Sequence, residues 1–239
     1  MSPANVLKTL VIRSPWLAAT VMIAACDRTP TSYFPLDNER YWQYTIERTT
    51  MDGTVTQKYL LATLPNRTWE GVAVGTKRTV DGNEYLYRVD GDGVRRVARR
   101  LRGEDELRTD EPGLTVLPAD PRVGANWRST THTSVLENSG PPWETLFRIT
   151  RPVTLDYTIE SVTDVVRVSA GEFHDCLRVV GNGTTNADVG NYIGRAVISV
   201  KVTEWYAPNV GLVQSRRVET TDAEALNYGA LRMELESYD

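Results

Sequence analysis

Ile198-Ser199-Val200-Lys201-Val202-Thr203-Glu204 alternates apolar and polar residues without a break. A period of two sends successive side chains to opposite faces of a pleated strand, so one face is built for a core and the other for water. The same alternation recurs upstream and downstream. Trp42, Tyr44 and Ile46 alternate with polar residues in 41–47, Leu155, Tyr157 and Ile159 in 154–160, and Leu231, Met233 and Leu235 in 231–236. One wet face and one dry face mark antiparallel sheet, since parallel strands are buried on both sides and read as continuous apolar runs. The expected fold is all-β: a strongly curved antiparallel sheet or half-barrel with few short helices. The best helical candidate is only 222–228.

Turn residues fall between these strands. Asp52-Gly53, Asp81-Gly82 and Asp90-Gly91-Asp92-Gly93 each separate two strand-like stretches, and Pro208-Asn209-Val210-Gly211 does so near the C-terminus. Asp-Gly accepts the positive φ angles of tight hairpins. Three stretches break the pattern. Residues 103–123 hold three prolines and two glycines and read as a long connection. Residues 136–143 read as an exposed loop, and 181–191, rich in Gly, Asn and Thr, as another. The folded part, 34–239, is thus one β-rich domain or two halves joined near 103–123.

The N-terminus carries a different signal. Lys8 and Arg13 precede an apolar stretch from Trp16 to Ala25 with no acidic residue. That stretch is too short for the ~20 residues of a spanning helix, and small residues close it, as in a cleaved secretory signal. Ile23-Ala24-Ala25-Cys26 resembles the bacterial lipobox. The resemblance implies cleavage after residue 25, a diacylglyceryl thioether on Cys26 and acylation of the new N-terminus. Residues 26–33 then form a lipidated polar tether. Two or three acyl chains at about 0.8 kcal/mol per buried methylene hold such an anchor firmly. The expected location is the cell envelope, facing the periplasm or exterior. Asp27 resembles the enterobacterial signal for inner-membrane retention, a rule that does not extend to all bacteria, so inner and outer membrane both stand.

Composition narrows the partners. The chain has 239 residues; without the first 25 it has 214, with 25 basic against 31 acidic residues and a formal charge of −6. An acidic exported domain is a poor binder of nucleic acid. With Cys26 lipidated, Cys176 has no disulfide partner, and packing must supply stability. The basic run Arg95-Arg96-Val97-Ala98-Arg99-Arg100-Leu101-Arg102 reads as an edge strand or hairpin tip with arginines on both faces, followed by acids over 104–111 that neutralise it. Its functional alternative is contact with anionic headgroups.

Two further segments resemble those of a group of bacterial envelope lipoproteins, the TapB-like kind. One is the opening Tyr33-Phe34-Pro35-Leu36 with Trp42 and Tyr44; the other is Trp205-Tyr206-Ala207-Pro208-Asn209-Val210-Gly211-Leu212-Val213, with Ala170-Gly171-Glu172-Phe173 and Cys176 between them. This chain departs from the group's pattern at Asn38, Glu172 and Asn209. The resemblance implies a curved antiparallel sheet like that of periplasmic lipoprotein carriers, and it implies no catalytic residues.

Chemistry-bearing motifs are sparse. The sequence has two histidines, His132 and His174, no G-x-S-x-G elbow, no Walker loop and no H-E-x-x-H. His174 and Cys176 share a strand face but lack the further ligands that a zinc site needs. Asp90 and Asp92 lack the rest of a calcium loop, and Gly93 stands in the wrong place for one. The expectation is a protein that is not an enzyme, with no metal and no cofactor. It binds a hydrophobic ligand or lipid in the sheet's concavity, lined by Trp42, Tyr44 and Trp127, or else docks on another envelope protein as a structural or assembly lipoprotein.

Overall fold

The computed structural model describes residues 32–37, 39–140, 145–188 and 194–239. The signal segment, Cys26 and most of the tether lie outside the described residues. Six strands follow one another first: β1 (Tyr41–Thr50), β2 (Gly53–Trp69), β3 (Val72–Thr79), β4 (Glu84–Asp90), β5 (Gly93–Arg100) and β6 (Arg108–Pro118). Then come β7 (Asn126–His132), β8 (Glu137–Gly140) and β9 (Thr145–Arg148). The C-terminal strands are β10 (Pro152–Val168), β11 (Gly171–Asp188), β12 (Arg195–Ala207), β13 (Gly211–Thr221) and β14 (Tyr228–Tyr238), with one 3-10 turn at Glu224–Leu226.

Twelve strands form one antiparallel sheet in the order β6-β5-β4-β3-β2-β1-β14-β13-β12-β11-β10-β7. β8 and β9 pair separately. The sheet curls until its two edges, β6 and β7, pack against each other, so it is nearly closed into a barrel. No hydrogen-bonded ladder joins β6 to β7 among the described residues. The Asp-Gly turns fall where the sequence puts them: Thr50 pairs with Gly53 and Asp90 with Gly93 across two-residue loops.

The alternating apolar sets fill the concave face. Ile198, Val200 and Val202 pack with Val153, Leu155 and Leu136 in one cluster. Trp42, Tyr44 and Leu235 pack with Cys176, Val210 and Val213 in another. Burying a side chain of this size contributes roughly 1.5–3 kcal/mol, which lets a body without disulfides hold together. Segment 133–136 enters the concave side as a plug, with Thr133, Val135 and Leu136 buried. The Glu219 carboxylate, 0% exposed, accepts the backbone N–H of Ser134 at 3.0 Å and of Val135 at 3.1 Å. Arg217 neutralises Glu219 at 2.6 Å. Gly229 makes room for the plug: a Cβ there would lie 2.1 Å from the Val135 carbonyl oxygen.

Four expectations need correction. The stretch 103–123 is not simply a connection, because β6 occupies its middle; Pro112 is tolerated since an edge strand does not need every N–H. β8 lies inside 136–143, and Leu136 is buried rather than in an exposed loop. β11 continues through 181–188. Its glycines are there for close approach: a Cβ at Gly181 would lie 2.5 Å from the Tyr157 ring, and one at Gly183 would lie 2.3 Å from the Thr154 carbonyl oxygen. Finally, β5 is not an edge, because β6 covers it. Its arginines are paired across strands, Arg95 with Asp90, Arg96 and Arg99 with Asp110, and Arg100 with Glu84.

Candidate binding cavity

Cross-strand partners share a face of the sheet, and the register gathers a set of aromatic and charged side chains on the concave side. Tyr85 pairs with Arg99 and Tyr87 with Arg96 across β4 and β5. Trp127 pairs with Tyr157 across β7 and β10, and Tyr157 pairs with Gly181 on β11. The bare backbone of Gly181 lets the Tyr157 ring lie flat, and Trp127 stacks on that ring at 5.4 Å with an interplanar angle of 8°. Glu204 and Tyr206 on β12 and Arg217 on β13 continue the wall. Together these residues line a cavity of about 530 Å³ that reaches the seam between β6 and β7, with His132 and Ser134 leading into the plug.

The wall is polar as well as aromatic. Arg96 Nε and Arg99 Nη1 both donate to Asp110, at 2.6 and 2.7 Å. Tyr206 donates its hydroxyl to Glu204 at 2.8 Å. Burial pushes the Glu204 carboxyl above the usual carboxylate range, against the pull of that hydrogen bond and of Arg217. Burial likewise raises the phenols of Tyr87, Tyr157 and Tyr206, so these groups stay protonated hydrogen-bond donors. Arg217 spends its Nε on Glu219 and an Nη2 on the His132 carbonyl, at 2.6 and 2.7 Å. The Trp127 indole N–H is buried and meets no acceptor.

Of the residues singled out from sequence, Trp127 lines this cavity and Trp42 and Tyr44 do not. Trp42 is 1% and Tyr44 2% exposed, both inside a filled core. Their polar atoms are already used, Trp42 Nε1 on the Val210 carbonyl at 2.7 Å and the Tyr44 hydroxyl on the Leu212 carbonyl at 3.0 Å. They brace the β12–β13 turn instead. His174 stands exposed, 3.1 Å from Glu172, while Cys176 is buried, so the two make no joint site. Among the described residues no group of three His, Cys, Asp or Glu side chains is placed to hold a metal ion.

No family model matches this chain. No curated protein matches it either. Two solved structures overlap it in part. One is a Bacteroides fragilis protein inferred to be exported and described as having a YmcC-like fold, 15% identical, with 87% of this chain and 99% of that one covered at a TM-score of 0.39. The other is an inferred lipoprotein from Parabacteroides distasonis, 16% identical, with the same coverage and a TM-score of 0.38. Overlap this slight assigns no function to the chain.

Proposed function

We propose that this chain is a non-catalytic binding protein of the bacterial cell envelope, tethered by lipid at Cys26, whose ligand enters the cavity at the β6–β7 seam. The observation that carries the reading is the cavity itself. A twelve-stranded sheet could have closed on a filled core, yet about 530 Å³ is left open beside its unladdered edges. Pockets of 300–1,000 Å³ with aromatic walls and a few converging polar groups are the usual form of a small-molecule site. The signal-like N-terminal segment and the lipobox resemblance of Ile23-Ala24-Ala25-Cys26 support export and anchoring. The resemblance to TapB-like lipoproteins supports a carrier-like role.

The wall changes the expected ligand. A bare hydrocarbon would leave the Trp127 N–H, the Tyr85 and Tyr157 hydroxyls and the N–H groups of Arg96 and Arg99 not used on Asp110 facing apolar atoms, at a cost of about 1–3 kcal/mol per unsatisfied group. An amphipathic ligand fits; an acyl chain alone does not. The test is native mass spectrometry of the full-length protein taken from membranes in mild detergent. A noncovalent mass is expected on the wild type, and a diminished one on Ser129→Trp, which fills the cavity wall. A wild-type protein that carries no adduct and acquires none from a membrane extract overturns the reading.

A second reading, docking on another envelope protein, is favoured by the edges of β6 and β7, whose backbone groups no ladder joins among the described residues and which could accept an added strand. Photocrosslinkers placed in β7 would then capture a protein partner in cells, and Ser129→Trp would not prevent it.

A further inference from the structure

Resting on the ligand-binding reading above, we infer that the cavity takes an anionic, acceptor-rich ligand, a carboxylate or phosphate on a flat apolar body, with its anion held at Arg96 and Arg99. The wall's hydrogen-bond inventory leads there. Glu204 and Arg217 are answered from within the protein, by Tyr206 and by Glu219 with the His132 carbonyl. Arg96 and Arg99 are not fully answered: two guanidinium groups share the single carboxylate of Asp110. The Arg96–Arg99–Asp110 group therefore carries one positive charge in excess, the Glu204 carboxyl being set beside Arg217 instead, and several of the N–H donors of these two forks point to no acid. The indole N–H of Trp127 adds a buried donor without an acceptor. The hydroxyls of Tyr85 and Tyr157 donate to no protein group among the described residues and line the same space.

At Arg96 and Arg99 the surplus is thus of donors and of positive charge. A cationic ligand would meet repulsion, and a neutral hydrocarbon would leave the donors unpaired. A carboxylate or phosphate matches the planar fork of arginine and makes charge-assisted hydrogen bonds, roughly twice as strong as neutral ones. The rings of Tyr85, Tyr157 and Trp127 supply an apolar surface for the rest of the ligand.

The experiment titrates the full-length protein in detergent micelles with phenyl phosphate, benzoate and benzyl alcohol, by calorimetry and tryptophan fluorescence. At least one anion is expected to bind about tenfold or more tighter than benzyl alcohol, and the favoured anion tells phosphate from carboxylate. Arg99→Gln is expected to abolish that preference. The double variant Arg96→Gln/Asp110→Asn keeps one net positive charge and is expected to retain it, which separates loss of charge from loss of fold. Circular dichroism checks that each variant is folded. Equal affinity for benzyl alcohol and both anions, binding by none of the three, or an undiminished preference in folded Arg99→Gln overturns the inference. An adduct in the native mass spectrum would then still stand for a ligand of other chemistry.

Discussion

Glu219 sits at the centre of a small circuit: it accepts two plug amides, Arg217 neutralises it, and the same arginine holds the His132 carbonyl. Removing one partner of a buried pair leaves the other charge uncompensated, at roughly 3–5 kcal/mol. Glu219→Ala is therefore expected to lower the urea midpoint sharply, with Glu219→Gln in between because its amide oxygen still accepts one N–H. A loss below about 1 kcal/mol in Glu219→Ala would mean that Val135 and Leu136 hold the plug by packing alone. Lys77 gives a pH signature. Its ammonium is buried against Phe34 and Trp42, 3.8 and 4.4 Å from the ring centres. Desolvation first, and the nearby Arg40 charge second, bring its pKa down from 10.5 to about 7, while the ring faces favour the charged form and oppose the fall. Between those values the unfolded chain binds a proton that the folded one does not, so stability rises as pH climbs from about 7 towards 10.5. Denaturation across that window is expected to show the rise in wild type and a flatter profile in Lys77→Met.

Among the elements, β10 and β11 depend on what is missing from Gly181 and Gly183. Gly181→Ala is expected to push the Tyr157 ring off β11 and break its stack with Trp127, with about 1–3 kcal/mol of overpacking strain. The near-ultraviolet dichroism of the stacked pair should fall while the far-ultraviolet spectrum holds. An unchanged near-ultraviolet signal would show that the ring tolerates a methyl group beneath it. The same glycines explain why 181–188 reads as a loop from composition. Gly, Asn and Thr lack apolar content, but here the strand is specified by contact with β10, which no local window contains. β1, β12, the first half of β10 and the middle of β14 were legible because their alternating residues face a core on one side only. β6 was hidden by Pro112 and its neighbouring acids, which suit an edge, and β8 by its length of four residues. The cavity was less legible still. Its wall draws on β4, β5, β6, β7, β10, β12 and β13, brought together only by curvature, and of its residues just Trp127 stood out as a ligand candidate. The arginine run was visible as charge, but the sharing of Asp110 by Arg96 and Arg99 needed the β5–β6 register.

For the molecule as a whole, Cys176 is a reporter of global opening. It is 0% exposed, and burial first, then the charges of Asp164 and Asp175, push its thiol up to about 11. A buried, protonated thiol is a poor nucleophile. At pH 8 a disulfide reagent is expected to label it only at the rate of unfolding, and prompt labelling of the native protein would contradict the packed core around it. Cys26→Ser is expected to lose acyl labelling and move to the soluble fraction; a variant still membrane-bound and normally cleaved would refute lipid anchoring.

The order of strands also has a kinetic consequence. β1 to β6 form one meander of neighbouring hairpins, and β10 to β14 form another. Each can zip through short turns, whereas the ladder between β1 and β14 must close a loop of well over a hundred residues in one step. Assembly of the barrel is then a docking of two preformed ribbons along the Thr45–Glu234 line, and substitutions on that line should slow folding more than equal losses of stability within either ribbon.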